Sequence, residues 1–374
     1  MRFSMPFQGK EEAREELCRQ AVQPGVNRRL LCRRHKVSPM TLYKWLGRYR
    51  LEGAQGLHEH SRRPSHSPLR TKAELEAAVL EVRRENPVWG GRKIAASLRR
   101  QGLSPPSPST ITAILHRNGQ PMVAPGQKAW QRFEHDTPNA LWQMDFKGHV
   151  AMGAGRLHPL TVVDDHSRYS PVVHAADNER YQTVKSAVQS AFERYGLPEV
   201  VLTDNGSPWG DAEGLLTRFG VWLIEHGVAP WRSAPFHPQS RGKNERFNRT
   251  LKAELLDGRS FADLAQAQQA FDAWRHRYNH HRPHDALGLG VPADRYQPSP
   301  RRFNPKVEPF EYGPEDILRS VDMAARISFH GRSMKASRAL VGKRVALRPT
   351  ERDGVFDLVF RHVIVKSIDF HNLD

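Results

Sequence analysis

The chain has only two cysteines in 374 residues, Cys18 and Cys32. Two thiols cannot build a disulfide scaffold or a four-cysteine zinc site, so a reducing cytoplasm is the expected home, and both are expected as small core residues within helices. Long apolar runs are lacking too: charged residues make up 26%, mean hydropathy is −0.65, and nothing approaches the ~20 apolar residues of a membrane helix. No membrane partner is expected. The stretch from Met1 to Phe7 leads into charged residues without the apolar core and cleavage site of a secretory signal. Acid is scarce against base: 57 Lys and Arg face 40 Asp and Glu, for a net charge of +17. That excess points to a polyanion, most simply nucleic acid.

The excess is uneven. Residues 1–135 carry a net +14, residues 136–258 a net −2 and residues 259–374 a net +5. Basic flanks around a near-neutral centre suit a chain that grips phosphates at its ends and does carboxylate chemistry in its middle. Pro-, Ser- and Arg-rich stretches at 60–70, 119–138 and 297–309 read as linkers. They divide the chain into segments 1–58, 70–120, 136–296 and 310–374.

In the first segment, helix-prone runs at 11–22 and 26–35 precede Ser38-Pro39, a helix start in which the hydroxyl caps free amides and proline suits the first helical position. Two short helices and a tight turn match a helix-turn-helix. The second helix offers Thr41, Tyr43, Lys44, Arg48 and Arg50 to a DNA groove, while Leu42, Trp45, Leu46 and Tyr49 recur at core spacing. A second basic helical unit is expected from helices over 72–85, 92–100 and 110–117, the last capped by Ser107 or Ser109.

In the centre, a strand over 140–147 puts Trp142, Met144 and Phe146 on one face and Leu141, Gln143 and Asp145 on the other. Strands near 160–164 and 169–174, a helix over 181–195 stopped by Gly196, and a strand over 199–203 ending at Asp204-Asn205-Gly206 make an α/β layout. Such sheets place chemistry at the carboxyl ends of parallel strands. From Ser240 a helix is expected to bury Phe247, Leu251 and Leu255. Glu245 lies about 200° from Phe247 at 100° per residue, on a face shared with Arg241, Asn248, Arg249 and Lys252. Three converging carboxylates make sense chiefly as a cation site. Two divalent metals about 3.5–4 Å apart serve phosphodiester chemistry, and Mg²⁺ takes hard carboxylate oxygens.

Several of these segments closely resemble the catalytic core of the DDE transposases of bacterial insertion sequences, kin to retroviral integrases. They are Asp145 in the first strand, Thr203-Asp204-Asn205-Gly206 after the fourth, and the run from His237-Pro238-Gln239 through Gly242-Lys243 to Glu245-Arg246-Phe247 and Arg249-Thr250-Leu251-Lys252. Tyr278 to Leu287 looks like the segment that follows that core. The resemblance implies a ribonuclease-H-like fold, a catalytic and metal-binding triad of Asp145, Asp204 and Glu245, and dependence on Mg²⁺, with Mn²⁺ as substitute. It also implies cleavage and strand transfer of double-stranded DNA, with the element's terminal inverted repeats and a target as partners. The working form would be a homo-oligomer, dimer or larger, in a bacterial cytoplasm at the nucleoid. Arg241, Lys243, Asn248, Arg249 and Lys252 are candidates to hold the end DNA, from their helix position. Asp204 and Glu245 have 40 residues between them, a longer spacing than in many relatives, which fits an enlarged helix around 211–226. The zinc module of retroviral integrases is missing, and helix-turn-helix units stand in its place, which favours a bacterial element. A non-catalytic DNA-binding derivative would show a broken triad or a truncated core, and the chain has neither; a stand-alone nuclease has no use for the flanking units.

Asp164-Asp165 are expected as strand-end and turn acids, and His280, His281 and His284 as packing or phosphate contacts. Residues 310–374 are expected to form a small β-barrel with strands over 325–329, 344–347, 355–360 and 363–368 and an Asp353-Gly354 hairpin turn. Arg332, Lys335, Arg338, Lys343 and Arg344 are its candidate DNA contacts.

Overall fold

The computed structural model describes residues 10–59, 71–120, 134–153, 155–206, 208–209, 215–232 and 242–371. They fall into two compact units, 1–70 and 71–374. In the first, α1 (Lys10–Val22), α2 (Arg28–His35) and α3 (Pro39–Glu52) enclose Leu17, Cys18, Leu31, Cys32, Leu42, Trp45 and Leu46. Both cysteines are buried and free within helices, the small core residues expected from the sequence. Asn27 accepts from the Leu30 amide at 3.1 Å and Ser38 from the Thr41 amide at 3.1 Å, so both short helices begin on side-chain caps.

The second unit opens with α4 (Ala73–Glu85), α5 (Gly91–Arg100) and α6 (Pro108–Arg117), packed through Val79, Trp89, Ile94, Leu98, Ile111 and Ile114. Ser107 caps α6. A Cβ on Gly91 would lie 2.3 Å from the Pro108 carbonyl oxygen, so only glycine lets α5 start against α6.

The central sheet is built from β1 (Leu141–Phe146), β2 (Val150–Met152), β3 (Gly155–Asp164), β4 (Val172–Ala176), β5 (Val200–Thr203) and β6 (Ala229–Arg232). Strand β3 pairs antiparallel with β1 and β4 on its two edges and with β2 at its start; β1, β5 and β6 run parallel. One face is covered by α7 (Tyr181–Tyr195) and α8 (Arg218–Glu225), whose Val184, Phe192, Phe219 and Trp222 meet Trp142, Met144 and Val162. The other carries α9 (Gly242–Leu251), a π-helical turn at Lys252–Leu256 and α10 (Leu264–His280), with Phe247, Leu251, Phe271 and Trp274 against Val163 and Val173. Each such fully buried side chain contributes about 1.5–3 kcal/mol. Trp142 and Met144 of β1 face the first core as expected, and alternation along β3 and β4 divides the two cores, with Val162 and Val172 on one side and Val163 and Val173 on the other.

The C-terminal strands β7 (Ile317–Ser320), β10 (Arg344–Pro349), β11 (Val355–Phe360) and β12 (Val363–Asp369) form an antiparallel sheet in the order β12-β11-β10-β7, and β8 (Arg326–Phe329) pairs only with β9 (Arg332–Lys335). The expected barrel is therefore not a closed ladder among the described residues. Side chains bridge the seams instead: Arg319 Nε of β7 donates to the Ser328 carbonyl of β8 at 2.9 Å, and Lys366 of β12 to the Lys335 carbonyl of β9. The module packs on α8 through Val221 and Ile224.

Candidate active site

Asp145 lies near the end of β1, and Asp204 follows β5. The parallel pairs Leu141↔Val200, Trp142↔Val201 and Gln143↔Leu202, carried on at the same offset, bring Asp145 level with Asp204 at the carboxyl edge of neighbouring strands. Glu245 stands exposed in the first turn of α9. Three residues on, about 60° around the helix, Asn248 Nδ2 donates to Asp145 Oδ2 at 3.0 Å. Helix α9 thus crosses the sheet at Asp145 with Glu245 one turn before the contact. Among the described residues no three His, Cys, Asp or Glu side chains converge closely enough to hold a metal ion. Asp204 Oδ1 accepts instead from the Gly206 amide at 2.9 Å and from Trp209 Nε1 at 2.5 Å.

The supporting groups were not legible as such in the sequence. Thr161, opposite Asp145 in the β1–β3 register, donates to the Asp145 carbonyl at 3.1 Å and to Asn248 Oδ1 at 3.1 Å. Trp209 stacks on Phe146 with ring centroids 5.3 Å apart. Gln143 had one available signal, its place two residues before Asp145 on the same strand face.

The DNA candidates on α9 divide. Arg249 and Lys252 are exposed, as expected. Asn248 is turned inward, 5% exposed, because its amide serves Asp145 and Thr161. Lys243 is also turned inward, where its ammonium meets the fully buried Asp165. Arg241 and the His237-Pro238-Gln239 motif lie outside the described residues. In the first unit Tyr43 and Lys44 are exposed, the Thr41 hydroxyl shares the cap with Ser38 Oγ at 2.8 Å, and the Arg48 guanidinium lies 5.2 Å from the Trp45 ring centroid. On the C-terminal module Lys343 pairs with Glu225 of α8, while Arg332, Lys335, Arg338 and Arg344 are exposed.

Asp164 is the last residue of β3 and Asp165 the first of the turn after it, as expected, and both are fully buried. Asp164 Oδ1 takes the Ser167 amide and hydroxyl and Oδ2 the Asn139 amide, and burial raises its pKa from the ordinary carboxylate value. Burial also acts to raise Asp165, but its bonds from Lys243 and His135 more than offset this and hold it below the ordinary value. Besides Ser167, three residues on, partners 25 to 78 residues distant stabilise these acids in the interior. Of the three histidines, His284 is buried against the edge of Tyr278, whereas His280 and His281 ring His276 at 4.9 and 5.3 Å.

Comparison with known proteins agrees with this architecture. Models of the integrase core domain match residues 135–238 and 226–292, a helix-turn-helix domain matches 14–65, a homeodomain-like domain matches 41–115, and the C-terminal domain of IS481 family transposases matches 316–373. An uncharacterized protein of insertion element IS476 from Xanthomonas euvesicatoria is 31% identical over 242 residues, covering 61% of this chain and 66% of that protein, so the chain spans just under two thirds of its length. One from insertion element IS407 of Burkholderia multivorans is 26% identical, covering 59% of this chain and 79% of that protein. A chain in the structure of the simian T-cell lymphotropic virus intasome with PP2A regulatory subunit B56 gamma aligns over 78% of this chain and 96% of its own, at 14% identity and a TM-score of 0.41. A superposition that loose says nothing about individual side chains.

Proposed function

We infer that the chain is a DDE-type transposase of an insertion sequence and that Asp145, Asp204 and Glu245 are its catalytic triad and divalent metal ligands, with Mg²⁺ the working ion and Mn²⁺ a substitute. The observation that carries this reading is the β1–β5 register, which sets Asp145 level with Asp204, together with the Asn248 bond that seats the Glu245 helix on Asp145. The donor set fits the ion: three carboxylates offer hard oxygens, and among the described residues a side-chain amide on Asp145 and a backbone amide and an indole on Asp204 help to orient two of them. Bound metal supplies activation of the attacking oxygen and neutralises charge at the phosphate.

The residues of the chain do the rest. Asn248 and Thr161 hold Asp145, Trp209 and the Gly206 amide hold Asp204, and Glu245 is the third ligand of the proposed triad, carried by the α9 turn that precedes Asn248. Exposed Arg249 of α9 and Lys252 of the π-helical turn after it extend toward the phosphate backbone. Residues 1–58 read the terminal inverted repeats through Tyr43 and Lys44, residues 70–120 extend that footprint, residues 136–296 cut and join, and residues 310–374 act as a barrel-like platform for DNA. Two or more copies, at the nucleoid of a bacterial cytoplasm, hold the two ends for transfer to a target duplex.

The test incubates the full chain with labelled element-end duplexes and Mg²⁺ beside Asp204→Asn and Glu245→Gln. The expected result is end cleavage and strand transfer by the parent alone, with DNA retention unchanged. Equal activity in all three would remove the triad.

A further inference from the structure

The first turn of any α-helix leaves backbone N–H groups without intrahelical partners. In α9 one of them is met by a strand: the Asn244 amide donates to Gln143 Oε1 at 3.2 Å. Gln143 Nε2 donates in turn to Asp165 Oδ1 at 2.8 Å, and the same oxygen receives the Lys243 ammonium. The other oxygen of Asp165 accepts from the His135 amide at 2.9 Å and lies 3.0 Å from its Nδ1. Asp165 and Gln143 are 0% and 3% exposed.

A buried charge is a costly anchor, several kcal/mol before it is paired, and an apolar contact would hold a helix more cheaply. What polar bonds add is direction. The stripe of Phe247, Leu251 and Leu255 fixes α9 against the sheet, but greasy contacts tolerate small rotations about the helix axis. Bonds from two successive residues, 243 and 244, do not. Asn248 and Asn244 add a second tie to Thr161, at 3.1 and 3.3 Å. Glu245 lies between these fixed points and is itself exposed.

We propose that Asp165 and Gln143 are positioning residues that set the azimuth of α9 through Lys243 and Asn244, and with it the reach of Glu245 toward Asp145 and Asp204. Lys243 is a strut of this seat and does not grip DNA. The role given to Glu245 rests on the triad reading above.

The experiment compares the full chain with Asp165→Asn, Lys243→Met, the double variant and Glu245→Gln. It reads hydrogen exchange of the α9 first turn without metal, affinity for end DNA, and single-turnover end cleavage at saturating DNA. Each single variant should speed exchange of the 243–245 amides and lower the cleavage rate, both by about tenfold or more, with DNA affinity unchanged. The double variant should be no worse than Lys243→Met, because two partners of one interaction do not add. Exchange in α9 that rises only in step with β1 overturns the proposal in favour of general packing. Lys243→Met that weakens DNA binding while Asp165→Asn leaves rate and exchange normal overturns it in favour of a phosphate contact. Full cleavage by Glu245→Gln sinks the triad reading alone, and exchange in α9 still decides the seat.

Discussion

Trp209 Nε1 donates to Oδ1 of Asp204 at 2.5 Å while its ring lies stacked on Phe146, the residue after Asp145. One side chain thus braces the ends of both strands that carry the first two acids. Trp209→Phe keeps an aromatic ring beside Phe146 and removes the N–H donor, along with part of the buried ring volume. Loss of a group that orients a metal ligand costs about 10–100-fold in metal affinity or activity, so the variant should need about tenfold more Mg²⁺ for half-maximal end cleavage with unchanged end-DNA affinity. A metal titration that overlays the parent's would show that the indole is there for packing alone.

How far the sequence carried depends on where the partners lie. Helix α7 falls on residues 181–195 as its apolar stripe and Gly196 indicated, and Ser38 and Ser107 cap α3 and α6, because those signals are complete within a few residues. Strands β2, β6, β7 and β9 were not expected. They are three or four residues long, with half-exposed or mixed patterns, and are held by pairing with a neighbouring strand rather than by a signal of their own. The three acids were legible as residue types, but not the inward turn of Lys243 and Asn248. Helical phase gives an azimuth and not the polar pocket opposite, and that pocket comes from residues 143, 145, 161 and 165 of a distant hairpin.

Glu254, in the π-helical turn after α9, gathers donors from three places: Trp89 Nε1 at 3.3 Å, Trp274 Nε1 at 3.1 Å and Arg282 Nε at 2.8 Å. The Glu254 and Arg282 side chains are 5% and 9% exposed. Burial, with Arg282 nearby, pushes the Lys93 ammonium down to about 8, while Glu254 acts to raise it. Glu254 is therefore the counter-charge of a crowded basic contact between the second helical unit and the core. Glu254→Ala should cost about 3–5 kcal/mol, seen as a lower urea midpoint. A loss below about 1 kcal/mol, the scale of an exposed pair, would mean that Arg282 finds water or another acid.

In the first unit Lys44 is exposed on α3, its ammonium 5.2 Å from the Trp45 ring centroid, while the Arg14 side chain is only 16% exposed, its guanidinium 4.0 Å from that centroid and its Nη1 donating to the Leu57 carbonyl at 3.0 Å. The two kinds of cation should behave differently. Lys44→Ala should weaken end-DNA binding and lower the slope of log affinity against log salt by about 1, without moving the melting temperature. Arg14→Ala should lower the melting temperature and leave that slope alone. Binding isotherms at several salt concentrations, beside thermal melts, separate them; identical salt slopes for parent and Lys44→Ala would remove Lys44 from the interface.

His284 sits in the turn after α10, buried, with its ring against the edge of Tyr278 and a bond to the Tyr278 backbone. Its Nε2 has no hydrogen-bond partner among the described residues. Burial first, and then the nearby cations Arg282, Lys93 and Arg168, hold the imidazole well below its ordinary value of 6.5. The folded chain therefore keeps His284 neutral at a pH where the unfolded chain has taken up a proton. The unfolded state binds more protons, so stability is fully present above about pH 6.5 and falls as the pH drops below it, by up to about 1.4 kcal/mol per pH unit for one such group. His174, His280 and His362 are lowered as well, mainly by burial, and add to the slope. His284→Asn retains a donor in the place of Nδ1 and removes the titration, so its urea midpoint should fall less steeply between pH 7 and pH 5. The relevant measure is the difference in slope and not the midpoint itself, because the smaller side chain leaves a cavity that lowers stability equally at every pH. Parallel slopes would mean that acid sensitivity arises from the other three histidines.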